Sequence, residues 1–395
     1  MPAKEEKFLL YVLAAIQFTH ILDFMIVMPL GPRLMGIFAI TPAQFGFIVS
    51  TYTFSAALFG LIAAWFLDRF DRKRALLWLY GGFAIGTLLC AVAPNYYAMV
   101  AARFLAGGFG GISGATILAV IGDAIPPNRR GAAMGTIFSA FSLASIAGVP
   151  LGLFLANRLG WHAPFFMLAG LSAVILILAA KVLPPVRDHL SREKDSPWTE
   201  MKAILRGGNH WLAFGLTTTM TMAGFMVIPY ISPSLVANVG LTNDQLPLIY
   251  LFGGLATFFS SRWLGRVSDR MGKLRVFIVV SLLCMAPILI LTRLPQVPIW
   301  AALIVTTCFM VFSSGRFIPG MAMITNSVSG RYRGGFMSLN SAIQQFASGL
   351  ASLMAGAIIA EGAGHRLEHY GTVGLIGAGC ALASIALAWR LRAAV

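Results

Sequence analysis

Residues 41–74 read TPAQFGFIVSTYTFSAALFGLIAAWFLDRFDRKR: a polar start, an uncharged run from Phe45 to Leu67, then Asp68 and a basic cluster. A run of this length crosses a bilayer as a helix, which needs about 20 apolar residues. The basic cluster marks its cytoplasmic end by the positive-inside rule. The arrangement returns at residues 242–275, TNDQLPLIYLFGGLATFFSSRWLGRVSDRMGKLR. Thr41 and Gln44 correspond there to Thr242 and Gln245, and Asp68-Arg69 to Asp269-Arg270, all 201 residues on. Arg130-Gly131 and Met134 recur as Arg333-Gly334 and Met337 after 203 residues. The chain is a duplication.

Over the whole chain, 58% of the 395 residues are apolar, 11% are charged and the mean hydropathy is +0.81. Soluble domains carry about 25% charge, so this is a polytopic membrane protein. Apolar runs place twelve spans near 8–31, 42–67, 75–93, 96–122, 132–158, 164–183, 210–238, 244–266, 275–293, 298–326, 334–361 and 371–393. With the N-terminus inside, the cytoplasmic segments hold 23 of the 29 Lys and Arg, and the outer loops keep Arg33, Arg158, Arg293 and Arg366. Both termini are therefore expected in the cytoplasm. The expected organisation is an N-terminal six-helix half (1–183), a cytoplasmic linker (184–209) carrying Pro184-Pro185, and a C-terminal six-helix half (210–395). Parallel repeats of this kind place a binding site near the midplane and permit alternating access.

The net charge of +15 falls in short gaps between apolar runs, so a nucleic-acid partner is not expected. No phosphate-loop motif is present, which argues against nucleotide-driven pumping. Cys90, Cys284, Cys308 and Cys380 lie in apolar stretches without Cys-x-x-Cys spacing and are read as small buried hydrophobes. His365-Arg366-Leu367-Glu368-His369 has the spacing of some zinc hydrolases but sits in an outer loop of about ten residues and is read as coincidence. Neither metal nor cofactor is expected, and the chain is not expected to be an enzyme.

The loop Asp68-Arg69-Phe70-Asp71-Arg72-Lys73-Arg74 and its echo, Gly265 to Lys273, resemble the loop signature of the major facilitator superfamily. Ala102-Arg103-Phe104-Leu105-Ala106-Gly107-Gly108 is similar to the fourth-span motif of its twelve-span drug:proton antiporters, and Leu22-Asp23-Phe24 with Met28-Pro29 to their first-span motif. Ala64 and Asp71 stand where the loop pattern has Gly. Gly148-Val149-Pro150-Leu151-Gly152 resembles the sugar-efflux and arabinose-efflux-permease-like branch more closely. The resemblance implies the twelve-helix fold and a transporter.

Gln17, His20 and Asp23 share one arc of the first span. An ionisable residue in hydrocarbon is a candidate for proton handling unless it is a static ion pair. Arg103, at similar depth in span 4, can reach Asp23 and hold it ionised. The resemblance assigns this arginine to proton handling; Asp23 and His20 are the proton candidates read beside it, His20 with the alternative of a hydrogen bond between helices. Gly107, Gly110, Gly111 and Gly114 are read as a close-packing face, as are Gly148, Pro150 and Gly152 in span 5. Arg316 has no carboxylate on its own helix and must find a partner across the bundle, a backbone carbonyl or an anionic substrate. Asn340 and Gln344 in span 11 suit hydroxyl-rich or zwitterionic ligands, or bond between helices. Thr218 and Met222 belong to a mixed threonine-methionine surface in span 7 that adapts to ligands or simply packs. Gln17, Arg316, Asn340, Gln344, Thr218 and Met222 are thus the substrate candidates. Asp68, Arg69, Arg72, Asp269 and Arg270 form a conformational latch, or only solvated turns that set topology.

The expected function is proton-coupled efflux of small organic solutes, drugs or sugars, by a monomer in a bacterial-type inner membrane. A proton-coupled uptake symporter and a lipid or lysolipid transporter are the alternatives. A sensor would add a soluble output domain, for which this length has no room.

Overall fold

The computed structural model describes residues 3–66, 69–126, 129–185, 197–330 and 332–393. Ten of its helical spans are long and apolar enough to cross a membrane. Two further helices, Leu246–Met271 and Arg333–Ile358, have 26 residues each. They fall short on hydropathy because the first carries Arg262, Arg266, Asp269 and Arg270 and the second Asn340, Gln344 and Gln345. The architecture is an all-α polytopic one, consistent with twelve spans.

One compact unit comprises Met1–Val27 and Thr51–Pro197. It holds α1 (Ala3–Ile26), most of α3 (Pro42–Phe66), α4 (Arg72–Ala91), α5 (Tyr96–Ala124), α6 (Arg130–Leu143), α7 (Val149–Leu159) and α8 (Ala163–Val182). Helix α1 stops short of the span expected to reach residue 31, because Pro29 has no N–H for the Met25 carbonyl. Helix α4 is capped by Asp71, whose carboxylate accepts from the Lys73 amide at 2.9 Å, and α5 by Asn95, which accepts from the Ala98 amide at 3.0 Å. The fifth span is not one helix: a π turn, Ala144–Gly148, joins α6 to α7 two residues before Pro150. Proline cannot continue the i to i−4 ladder, and the wider turn absorbs the break. Helix α1 packs on α6 and α8, and α4 on α5 and α8. Their core includes Leu13, Ile16, Tyr80, Phe83 and Ile117.

The other unit comprises Met28–Ser50 and Trp198–Val395. It holds α2 (Gly31–Phe38), the start of α3, α9 (Pro197–Arg206), α10 (Gly208–Phe225), α11 (Ile231–Ala237), α12 (Leu246–Met271), α13 (Lys273–Leu291), α14 (Ile299–Asn326), α15 (Arg333–Ile358) and α16 (Tyr370–Arg390). Strands β1 (Ala360–Glu361) and β2 (Leu367–Glu368) form a small hairpin. The seventh span breaks at a 3-10 turn, Ile228–Tyr230, where Pro229 and Pro233 each remove a donor. Tyr370 donates to the buried Val227 carbonyl at 2.9 Å. Tyr230 donates to the Pro42 carbonyl at 2.8 Å, in a niche where a side chain on Gly46 or Gly356 would collide with its hydroxyl. Helix α9 lies in the stretch expected to be linker. It is anchored by buried Ile204, by His210 Nδ1 on the Ile204 carbonyl at 2.7 Å and by Trp211, which donates to the Leu205 carbonyl.

The duplication is visible in local geometry. The Thr41 amide donates to Gln44 Oε1 at 2.9 Å, and the Thr242 amide to Gln245 Oε1 at the same distance; the first contact caps α3 and the second closes the turn just before α12.

Candidate functional site

In the first unit, Asp23 lies in the last turn of α1 and Arg103 in the second turn of α5, both wholly buried. Arg103 Nη1 donates to Asp23 Oδ2 at 2.7 Å and to the Asp23 backbone carbonyl at 3.3 Å. That carbonyl is among the last four of its helix, which have no partner within the helix. Thr87 on α4 donates to the other carboxylate oxygen at 3.1 Å. The guanidinium carbon lies 4.1 Å from the centre of the Tyr52 ring. An arginine held by a carboxylate on one side and an aromatic face on the other keeps its charge deep in an apolar body.

His20, one turn before Asp23, stacks on Tyr52 at 6.1 Å and meets Phe83 edge-on at 5.7 Å. Among the described residues, neither of its ring nitrogens, nor the Tyr52 hydroxyl, nor Arg103 Nε, has a protein hydrogen-bond partner. Gln17, two turns before Asp23, is partly exposed near Gly114. Helix α5 reaches this cluster through its glycines. A Cβ on Gly107 would overlap the Tyr52 carbonyl, one on Gly110 would come within 2.5 Å of His20, and one on Gly111 within 2.7 Å of Ala56. Gly148 and Gly152 admit Leu22 and Ile26 of α1 in the same way, at 2.8 and 2.7 Å from where a Cβ would stand. Pro150 sits in the first turn of α7 between them.

In the second unit, Arg316 lies mid-way along α14, wholly buried, and donates through Nη2 to the Met220 carbonyl at 2.9 Å. Thr217 donates to Asn340 Oδ1 at 2.6 Å. Thr217, Met220, Thr221 and Gly224 share the buried face of α10 by their spacing. Thr218, Met222 and Gln344 are partly exposed. The structure thus brings Arg316 and Asn340 to one helix face and leaves those three outside it.

Of the latch residues, Asp68 lies outside the described residues, and Arg69, Asp269 and Arg270 are exposed. Arg72 pairs with Asp123 at 3.2 Å across α4 and α5. Arg129 pairs with Glu6 at 3.1 Å, and Arg130 donates to the Ile125 and Gly122 carbonyls at 2.9 and 2.6 Å, capping the C-terminus of α5. Tyr52, Thr87 and Asp123 are the contributors the sequence reading missed. The only signal for the first two was a polar atom inside an apolar span, and for Asp123 an acid at a helix end beside basic loops.

The model of the Major Facilitator Superfamily matches residues 13–295 and again 213–394. The chain belongs to the Major Facilitator Superfamily. As a member of that superfamily it is a multi-pass membrane transporter of small molecules. It is 29% identical over 358 residues to the uncharacterized MFS-type transporter YceJ of Bacillus subtilis (strain 168), covering 89% of this chain and 88% of that one. It is 26% identical over 253 residues, 62% of each chain, to a probable sugar efflux transporter of Helicobacter pylori (strain G27). Among solved structures, a D-xylose-proton symporter superposes with a TM-score of 0.78 at 16% identity, over 95% of this chain and 96% of that one, which shows a shared fold.

Proposed function

We propose that this superfamily member exports small organic solutes, drugs or sugars, in exchange for protons by alternating access. It acts as a monomer in a bacterial-type inner membrane with both termini cytoplasmic. The observation that carries the reading is the wholly buried carboxylate of Asp23, paired with Arg103 at 2.7 Å. Arginine does not give up its proton, so the group that can change charge in this pair is Asp23. Arg103 favours the ionised carboxylate while it grips it, and a conformational step that parts them favours the protonated form. His20 and Tyr52, with polar atoms unclaimed by protein partners beside the pair, can support the water chain a proton would follow.

The efflux direction draws support from the Helicobacter pylori relative, named a probable sugar efflux transporter. Gln17, Arg316, Asn340, Gln344, Thr218 and Met222 supply the solute contacts, and the two six-helix halves, 1–183 and 210–395, act as the moving repeats. Arg69, Arg72, Asp269 and Arg270 work with Asp68 as the latch. Solute affinity measured against pH tests the direction. Exchange makes proton and solute exclusive, so affinity strengthens as pH rises; affinity that strengthens on acidification, with proton uptake on binding, replaces export by symport.

A further inference from the structure

The two deepest arginines are not equivalent. Arg103 is neutralised by Asp23, whereas no carboxylate pairs with Arg316 among the described residues. Its Nη2 reaches the Met220 carbonyl, and its Nε and Nη1 have no protein acceptor among the described residues. Among the described residues, the titratable side chains that act on it are the thiols of Cys284 and Cys380. A guanidinium has five N–H donors in a planar fork, so one backbone carbonyl leaves most of them unused. Asn340 Nδ2 and Thr221 Oγ1, also buried, lack protein partners too. An unpaired buried charge is strongly destabilising and is retained where it serves a ligand or a pathway.

We propose that Arg316, with Asn340 and Thr221, is an anion subsite, and that the exported solute is a small organic monocarboxylate. The assignment rests on the transporter reading above and names its substrate class. The net charge decides the class. One guanidinium balances one negative charge, whereas a phosphate monoester, at about −1.5 to −2 near neutral pH, would keep a surplus. A carboxylate also matches the planar fork, with two oxygens accepting in parallel. The Asn340 amide and Thr221 hydroxyl then suit a hydroxyl or carbonyl on the body of the solute. The charge fits export, because an inside-negative membrane drives an anion outward. One anion leaving for one proton entering moves two charges in the same electrical sense.

The test uses the purified full-length chain and Arg316→Gln, with Arg316→Lys as the charge-retaining control. Thermal stability is read in phosphate-free buffer with shape-matched acid and neutral pairs: glucuronate against glucose, and benzoate against benzamide. The acid member should raise the melting temperature of the wild type and its neutral twin should not. Arg316→Gln should need roughly tenfold or more acid for the same shift, with Arg316→Lys between. Without any solute, Arg316→Gln should melt no lower than the wild type, since it removes an unpaired charge and keeps an amide donor for the Met220 carbonyl. A lower melting point of solute-free Arg316→Gln overturns the proposal, because the arginine is then structural. Equal shifts from acid and neutral twins, stronger shifts from inorganic phosphate, or no shift from either acid overturn it as well. Proton-driven glucose flux that Arg316→Gln leaves intact keeps the exporter reading and removes this one. Arg316-dependent acid binding without proton dependence of flux does the reverse.

Discussion

Arg103 holds Asp23 at two points, the carboxylate at 2.7 Å and the same residue's backbone carbonyl at 3.3 Å. The charge of the side chain and the end of α1 therefore share one guanidinium. Protonating the carboxylate weakens the first contact and leaves the second, so a proton bound at Asp23 is felt directly by the helix terminus.

Asp23→Asn should abolish proton-driven flux in proteoliposomes while the protein still folds. The amide keeps an acceptor oxygen and the backbone carbonyl still binds Arg103, but nothing titrates. Full coupling in the variant assigns the pair a purely structural role.

The pair should also show strong thermodynamic coupling. Removing one member of a buried ion pair typically costs about 3–5 kcal/mol because the other charge is stranded. Arg103→Gln alone should therefore destabilise more than Arg103→Gln combined with Asp23→Asn, measured by thermal or denaturant unfolding in detergent. Additive losses would show that solvent or another group replaces the missing partner.

Glycines on α5 should divide into two kinds. Gly107 faces the Tyr52 carbonyl with no room for a methyl group, whereas Gly122 has no neighbour within 4 Å. Gly107→Ala should lose about 1–3 kcal/mol through overpacking. Gly122→Ala should gain about 0.5–1 kcal/mol from the lower entropy cost of alanine in a helix. Similar melting temperatures for the two variants would contradict the close approach of α5 to α3.

The spans and the duplication were legible because lipid demands long apolar runs and because the copied residues keep their spacing. Helices α12 and α15 were legible from their apolar runs as well, although their charged and amide residues make them less apolar than the other spans. Asp23 and Arg103 stood out as charges in apolar runs, and depth along the helices was enough to match them. Tyr52 and Thr87 did not stand out, because in sequence a tyrosine or threonine in a span reads as filler until a neighbouring helix supplies the charge it serves. Helix α9 was hidden by its setting: ten residues with charged side chains form a stable helix here through tertiary anchors such as Ile204, which composition does not reveal.

Arg72→Gln should release Asp123 and lower the turnover rate more than it weakens solute binding. The 3.2 Å pair joins α4 to α5 at their basic-loop ends, about 30 Å along α5 from Arg103. Initial-rate flux compared with equilibrium binding separates the two effects; equal losses in both would remove Arg72 from the latch.

The π turn at Ala144–Gly148 gives the fifth span one residue more than a straight helix of that height requires. Everything beyond it is turned by about 100° relative to an unbroken α-helix. That phase decides that Gly148 and Gly152, rather than bulkier neighbours such as Leu151, meet α1 beside Asp23. In mechanical terms the turn is an indexing joint. Shifting the extra residue along the helix would swing the glycine face away from Leu22 and Ile26 by one discrete step, without unwinding the span.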